Sequence, residues 1–388
     1  MKSLTIGFPY VADRFGGSTA SSLILAQALK EAGHRVHILT HGEGGRVTDE
    51  ALTLGLAVTR LPPLSRVPGY ARPDRFRLEQ LLAFRAARRA ISGLGLDIVH
   101  TNDLTMLRSW AMPALSARTA LVAHWRSNFR ESWSVKAALQ AAARIVAVSR
   151  YSFLRLPEWV RAKSVVEYNA FALAMTAGER QRARQEVREK LGLPAHAALI
   201  GVFGNHVVRK RTHVLADILD AVPQTQDGRL VYGLACGAPA EPYDGDIDRK
   251  IAAFGLEGRL MRPGFIRPVE SWMAACDVIL APAINEPLAR NVLEAMALEV
   301  PVIVSCDGGL PELVAHGESG IICDPYDLPA WIAATRCVLD QPALASHLAE
   351  NGRNVLSRLK PARHAARIEA VYRDILSSGE NPSVTWAA

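Results

Sequence analysis

The feature that most limits the fold is a beat of short apolar runs with helical stretches between them. The runs fall at residues 4–8, 36–40, 57–61, 97–100, 121–124, 145–148 and 165–168. Runs of this length without polar alternation suit strands buried on both faces, as in a parallel sheet covered by helices. The beat stops near residue 170. A charged helix, 178–191, follows and closes on Gly192-Leu193-Pro194, and a second series opens at 198–203. Its further strands are expected at 230–234, 260–261, 278–281, 302–305 and 320–323, with closing helices at 331–339, 343–356 and 362–376. The sequence therefore reads as α/β, with two doubly wound units in 388 residues, a length that ordinarily makes two domains. The boundaries expected are 1–170 and 171–361, with 377–388 as a flexible tail.

Composition narrows the class. Hydrophobic residues make up 49% of the chain, enough for two cores, yet no apolar run reaches the roughly 20 residues of a spanning helix. The first nine residues carry Gly7 and Pro9 too early for a secretory leader and read as a first strand. Cys236, Cys276, Cys306, Cys323 and Cys337 show no metal-type close pairing. Buried, reduced thiols in a cytoplasmic protein are the expectation. The net charge of +7 is uneven: residues 1–170 hold 23 Lys+Arg against 12 Asp+Glu. Eight arginines crowd the stretch from Arg60 to Arg89, where Phe76, Leu81, Leu82 and Phe84 supply apolar surface. Charge asymmetry of this kind favours a polyanionic partner, an acidic membrane surface or nucleic acid, and the apolar positions fit a helix lying on an anionic membrane, or an ordinary helix packed on the sheet. No nucleic-acid partner is expected.

The chemistry concentrates between Asn285 and Ser305. Glu286 and Glu294 are eight residues apart, with a loop becoming a helix between them. Pro287 is expected at an early helical position, and Pro301 ends the helix before a buried strand. Eight helical residues span roughly 12 Å with an offset of about 80°. Such spacing suits one elongated ligand held at two places, with a helix N-terminus aimed at a phosphate.

This stretch resembles the signature of retaining glycosyltransferases with the GT-B fold, of the family-4, glycosyl transferases group 1 type. The matching residues are Glu286, Glu294, Ala295-Met296-Ala297 and Pro301-Val302, continuing through Gly308-Gly309 and His316-Gly317. The resemblance implies two Rossmann-like domains facing across a cleft. The first would bind the acceptor, the second a UDP- or GDP-sugar, and helix 362–376 would cross back to the first. It implies no cofactor and no metal. Glu286 would bind hydroxyls of the donor sugar and Glu294 those of the ribose. The acceptor would be a glycan, a lipid-linked saccharide or a small molecule, in glycan, envelope polysaccharide or glycolipid synthesis.

The loop from Gly204 to Arg211 departs from the family pattern. Lys210 matches the lysine that neutralises the leaving diphosphate. Asn205 stands where an arginine is expected, so Arg209, Arg211 or His206 would have to supply the missing charge. In the loop after Glu286, Leu288, Ala289 and Arg290 would face sugar and phosphate, with Ala289 replacing a glycine. Gly16 and Gly17 fit an acceptor loop, His124 the edge of the anomeric carbon, and Phe265-Ile266 the segment whose backbone reads the base. Asp244-Gly245-Asp246 resembles the metal-binding Asp-x-Asp of another transferase fold and is read as surface loop. Two rival readings remain: a degenerate partner subunit, which Asn205 favours, and an epimerase or phosphorylase on the same architecture.

Overall fold

A computed structural model describes residues 2–11, 15–42, 44–64, 73–126, 132–173 and 175–378, with the backbone alone over 73–80. Two compact units emerge. One is Leu173–Arg358, and the other takes the rest of the described chain, including the last helix, Pro361–Ser378.

The first unit is built on β1 (Thr5–Val11), β2 (Arg35–His41), β3 (Ala57–Leu61), β4 (Ile98–Thr101), β5 (Ala120–Trp125), β6 (Arg144–Ala147) and β7 (Ser164–Val166). They pair in parallel in the order β3-β2-β1-β4-β5-β6-β7. Alternation along the strands feeds two cores. Ile98, Val122 and Val146 join one face, and Val99, Leu121 and Ile145 join the other. The second face packs on the helices Leu104–Ser116 and Trp133–Ala141 through Leu107, Trp110 and Leu139. The first face is covered by Leu23, Leu25 and Leu29 of the helix Gly17–Glu31 and by Ala365, Ile368, Tyr372 and Ile375 of Pro361–Ser378. Those four recur at helical spacing, which gives the last helix one apolar stripe.

The second unit holds β8 (Ala198–Phe203), β9 (Val231–Cys236), β10 (Leu260–Gly264), β11 (Val278–Ala281), β12 (Val302–Ser305) and β13 (Ile321–Cys323), ordered β10-β9-β8-β11-β12-β13. Every residue of β8, β11 and β12 is buried. The charged helix Ala177–Lys190 starts with a capping box between Thr176 and Glu179. Its Arg184 and Arg188 converge on Asp277, which also accepts from the Leu199 amide at 2.7 Å. This knot ties the entry of β8 to the entry of β11. Trp331 is fully buried and donates from Nε1 to the Asp324 carbonyl at 2.8 Å. Truncating such a side chain to alanine costs about 3–5 kcal/mol.

In each sheet the order reverses beside the first strand of the unit, between β1 and β4 and between β8 and β11. In doubly wound sheets ligands bind outside the carboxyl ends of the strands at such a reversal. Among the described residues, no helix is long and apolar enough to cross a membrane.

Candidate active site

The reversal in the second unit is lined by two loops, one after β8 and one after β11. The first leaves Phe203 through Gly204, whose φ of +142° turns the chain outward. Gly237 closes in behind it: a Cβ there would lie 2.0 Å from the Gly204 carbonyl oxygen. The loop then makes a single tight turn, Val208–Lys210. The second loop is anchored by Ile284, whose amide donates to the Arg209 carbonyl at 2.8 Å. Asn285 adopts φ +53° and its amide donates to Asp307 Oδ1 at 2.8 Å. The Glu286 carbonyl accepts from the Gly309 amide at 2.8 Å. Gly308, at φ +74°, has no room for a side chain, since its Cβ would fall 2.4 Å from that carbonyl oxygen.

These restraints aim Glu286 at two cations. Lys210 Nζ lies 2.8 Å from Glu286 Oε2, and Arg209 Nη1 donates to the same oxygen. Glu286 is buried. Burial alone would raise its pKa, but Lys210 and then Arg209 outweigh it and hold the carboxyl below its usual range. The helix Arg290–Ala297 begins beside this group. Its first residues carry no acidic side chain, and Ala289 at the N-cap offers no side-chain acceptor. Asn291 Nδ2 donates to the Phe203 carbonyl at 2.9 Å and pins the helix start to the end of β8.

Glu294 belongs to a second cluster one turn further on. It accepts from Arg290 Nε at 2.8 Å. Burial still raises its pKa against the opposing charges of Arg290 and Arg267, with Glu270 adding to the rise. Arg267 stacks over the exposed ring of Phe265, 5.7 Å from its centroid.

The first unit carries a separate polar group at the ends of β4 and β5. His124 is buried, with Nδ1 3.2 Å from His100 Nε2 and 3.1 Å from Arg126 Nη2. Arg126 also donates to the Ser18 carbonyl at 3.0 Å, just inside the helix that starts at Gly17.

Two family models match the chain: "Glycosyltransferase Family 4" over residues 15–170 and "Glycosyl transferases group 1" over residues 183–355. The solved structure of Anabaena HepE with UDP and glucose superposes with a TM-score of 0.79 at 20% identity, covering 97% of this chain and all of that one. The chain belongs to the GT-B glycosyltransferases of the group 1, family-4 type. The D-inositol 3-phosphate glycosyltransferase of Corynebacterium glutamicum is 29% identical over 51% of this chain and 48% of its own length. The lipopolysaccharide core biosynthesis mannosyltransferase LpsB of Rhizobium meliloti is 30% identical over 50% of this chain and 56% of its own. The chain thus spans about half the length of the curated relatives it matches.

Within this GT-B family member, the structure brings Lys210, Arg209, Glu286, Gly204 and Ala289 to one reversal point, with Leu288 half-buried beside them. Phe265 and Ile266 follow β10 and lie with the Glu294 cluster through Arg267. Asn205 is exposed, and its Oδ1 accepts from the Ala238 amide at 3.4 Å. Of the three residues considered for the missing charge, Arg209 alone reaches Glu286. Arg211 adopts φ +53°, donates to the Pro325 carbonyl and stacks on Tyr326. His206 is buried against Asp244 at 2.7 Å.

Three sequence readings are corrected. Pro287 precedes the helix, which starts only at Arg290, because the loop must first turn through Asn285 and Glu286. Asp244 is not in a surface loop: it sits buried in the first turn of the helix Tyr243–Ala253, paired with His206 and Arg262. Asp246 is exposed and pairs with Arg249. Gly16 is the extended N-cap of the helix Gly17–Glu31, with open space where a Cβ would point. Cys306 is exposed, whereas Cys236, Cys276 and Cys323 are buried, and all five thiols are free.

Asn291 and Arg267 are not singled out by the sequence. Their roles depend on neighbours from other strands, which no local pattern announces.

Proposed function

We propose that the chain transfers a sugar, with retention of configuration, from a nucleotide-diphosphate sugar to an acceptor hydroxyl. The second unit holds the donor and the first the acceptor. The observation that carries this reading is the convergence of Lys210 and Arg209 on buried Glu286, beside a helix N-terminus without an acidic cap, at the β8/β11 reversal. Such a site supplies fixed positive charge and amide dipoles where a diphosphate gains charge as its bond to the sugar breaks. Arg209 stands in for the arginine replaced by Asn205. When the donor enters, its phosphates take over the two cations, and the carboxylate of Glu286 turns to vicinal sugar hydroxyls. Glu294 takes the ribose. Departure and attack occur on one face of the sugar, and the leaving diphosphate helps to remove the acceptor's proton.

The HepE structure is a complex with UDP and glucose, which makes a UDP-sugar the first donor to try and a GDP-sugar the second. The relatives named above point to an inositol phosphate or an envelope saccharide as acceptor class. Donor hydrolysis and transfer with a panel of UDP- and GDP-sugars tests the reading, with the anomeric configuration read by proton NMR. Binding without hydrolysis or transfer across the panel would favour a glycan-binding partner subunit instead.

An anionic membrane is the proposed location of the acceptor. Leu81 and Leu82 are exposed on the Arg-rich helix Pro73–Leu94 rather than packed on the sheet. Arg66 and Arg72, and the side chains of 73–80 including Phe76, lie outside the described residues. Flotation with anionic liposomes at low salt should carry the protein up, and salt should release it. Equal absence from anionic and neutral vesicles defeats this part.

A further inference from the structure

Asn102 is buried, and neither its Oδ1 nor its Nδ2 has a hydrogen-bond partner among the described residues. Other buried side chains with an unpartnered atom lack a partner at one atom; Asn102 alone among the described residues lacks it at two. Its neighbours show why none comes from within the fold. Asp103, next in the chain, caps the helix Leu104–Ser116 with its own carboxylate, which accepts from the Met106 amide at 2.9 Å. The Thr101 hydroxyl donates to the Val122 carbonyl at 3.2 Å. His100 is engaged at both ring nitrogens, with the Tyr372 hydroxyl at 2.6 Å and His124 Nδ1 at 3.2 Å. The Tyr10 hydroxyl donates to Ser22 Oγ at 2.7 Å. The Asn102 side chain therefore neither caps the helix nor ties two elements together through a hydrogen bond, the two structural uses of a buried amide.

Strand register places this amide. β1 and β4 align Ile6 with Ile98, and β4 and β5 align Thr101 with Ala123. Ile6, Ile98 and Val122 share one core, so alternation puts Phe8 and His100 on the same face, where their rings stack at 4.9 Å. One further alternation along each strand brings Tyr10, Asn102 and His124 to a common level. That level lies at the carboxyl ends of the strands, beside the reversal between β1 and β4, where a doubly wound sheet receives a ligand. A carboxamide offers two N–H donors and one carbonyl acceptor, and it carries no charge. A ligand that satisfies both ends must accept at one atom and donate from another. Adjacent hydroxyls of a sugar or polyol do so: one oxygen accepts from Nδ2, and the neighbouring O–H donates to Oδ1. A phosphate or carboxylate would answer Nδ2 and set its negative oxygens against Oδ1.

We propose that Asn102 is an acceptor-binding residue, and that its two unpartnered ends hold a pair of adjacent hydroxyls on the acceptor ring. The ligand in this assignment rests on the glycosyl-transfer reading; the unpartnered state of the amide does not. A buried amide kept without a partner weakens the free protein, and a binding site is where such a weakness is retained.

Two variants and two readouts test the assignment. Asn102→Leu keeps nearly the same shape without the amide, and Asn102→Ala covers the case in which the leucine branch does not fit. No internal hydrogen bond is lost in either. Thermal unfolding of the free protein should therefore stay at the wild-type Tm, or rise by about 2–4 °C, in at least one of them. A lower Tm in both shows an amide bonded inside the fold and overturns the proposal. Transfer is then measured from the UDP- or GDP-sugar active in the panel above to D-inositol 3-phosphate, methyl α-mannoside and methyl α-glucoside, beside hydrolysis of the same donor without acceptor. With the acceptor that the wild type uses, kcat/KM for acceptor should fall about a hundredfold in both variants, because two of its hydroxyls are left unpaired. Donor hydrolysis should stay within about twofold. Transfer within about threefold of wild type overturns the binding role. Transfer and hydrolysis falling together overturn the acceptor assignment, since the loss then lies with the donor. Absence of both in the wild type with every donor defeats the glycosyl-transfer reading and this ligand with it, while the Tm comparison still reports on the amide.

Discussion

Replacing Lys210 with alanine should lower turnover far more than donor binding. The ammonium sits 2.8 Å from Glu286 Oε2 on a largely buried stem that packs against Gly204, so its position is fixed before any ligand arrives. In the ground state a diphosphate already carries charge that Arg209 and the helix N-terminus share. As the glycosidic bond breaks, an additional charge develops on the leaving oxygen. A unit charge about 4 Å away at an effective dielectric of about 20 is worth about 4 kcal/mol, and screening at the partly open site trims that. The expected loss is therefore about 10²- to 10³-fold in kcat, with donor KM rising about threefold. Lys210→Arg keeps the charge on a longer fork and should retain about a tenth of the activity. Alanine also leaves buried Glu286 with Arg209 as its remaining cation among the described residues, at a cost of about 1–3 kcal/mol, so circular dichroism at the assay temperature belongs in the experiment. Steady-state kinetics with the natural acceptor are the assay. A kcat within about threefold of wild type, or a loss confined to KM, refutes the leaving-group role.

Glu294→Ala should weaken nucleotide-sugar binding about tenfold to a hundredfold by calorimetry, since a buried carboxylate accepting two hydroxyls is lost. Because burial raises the Glu294 pKa, its charged form recedes earlier on acidification than that of an ordinary glutamate. Donor affinity should fall as pH drops through that raised value, and Glu294→Gln should abolish this dependence; an unchanged pH profile in the variant excludes Glu294 as its source. The stability sign is opposite. A raised folded pKa contributes stability below the unfolded value and loses it as pH rises through the folded one, so Glu294→Gln should stabilise the protein near neutrality. Gly308→Ala should cost about 2–5 kcal/mol in chemical denaturation, through its left-handed backbone and its clash with the Glu286 carbonyl, and a loss under about 0.5 kcal/mol contradicts the packing described. Activity should survive EDTA, because Lys210, Arg209 and the helix N-terminus already supply positive charge; complete loss restored by Mg²⁺ or Mn²⁺ reverses that view.

The fold was legible because parallel sheets write themselves as apolar runs. β8, β11 and β12 are buried throughout, and the expected runs at 198–203, 278–281 and 302–305 coincide with them. Short edge strands were blurred: the run expected at 260–261 extends to Gly264, and that at 165–168 shifts to Ser164–Val166. Edge strands bury less, so fewer of their residues need be apolar. The helix Arg46–Thr53 left little trace, with a polar majority and three buried positions, Val47, Thr48 and Ala51. At the site, Glu286 and Glu294 were legible through their spacing along one chain segment, and Lys210 through the resemblance of the Gly204–Arg211 loop to the family pattern. The correction at Asp244 concerns partners brought in from elsewhere. Asp244 is buried by His206 and Arg262, which are distant in sequence. The histidine pair at His100 and His124 depends on the register of β4 and β5 and on a tyrosine more than two hundred residues away.

The placement of Pro361–Ser378 in the first unit separates the order of synthesis from the order of folding. Ala365, Ile368, Tyr372 and Ile375 complete an apolar face whose other residues precede the whole second unit. The first sheet therefore leaves the ribosome with one face unfinished and must wait through some two hundred residues, about 10–40 s at ordinary elongation rates. During that wait the second unit closes on its own local contacts. Nascent chains stalled after residue 358 should show a protease-resistant second unit and a sensitive first, and resistance of both would show that the last helix is dispensable for folding. The first unit is thereby completed only after the second has been made, so a product truncated before Pro361 keeps the second unit whole and lacks part of one face of the first.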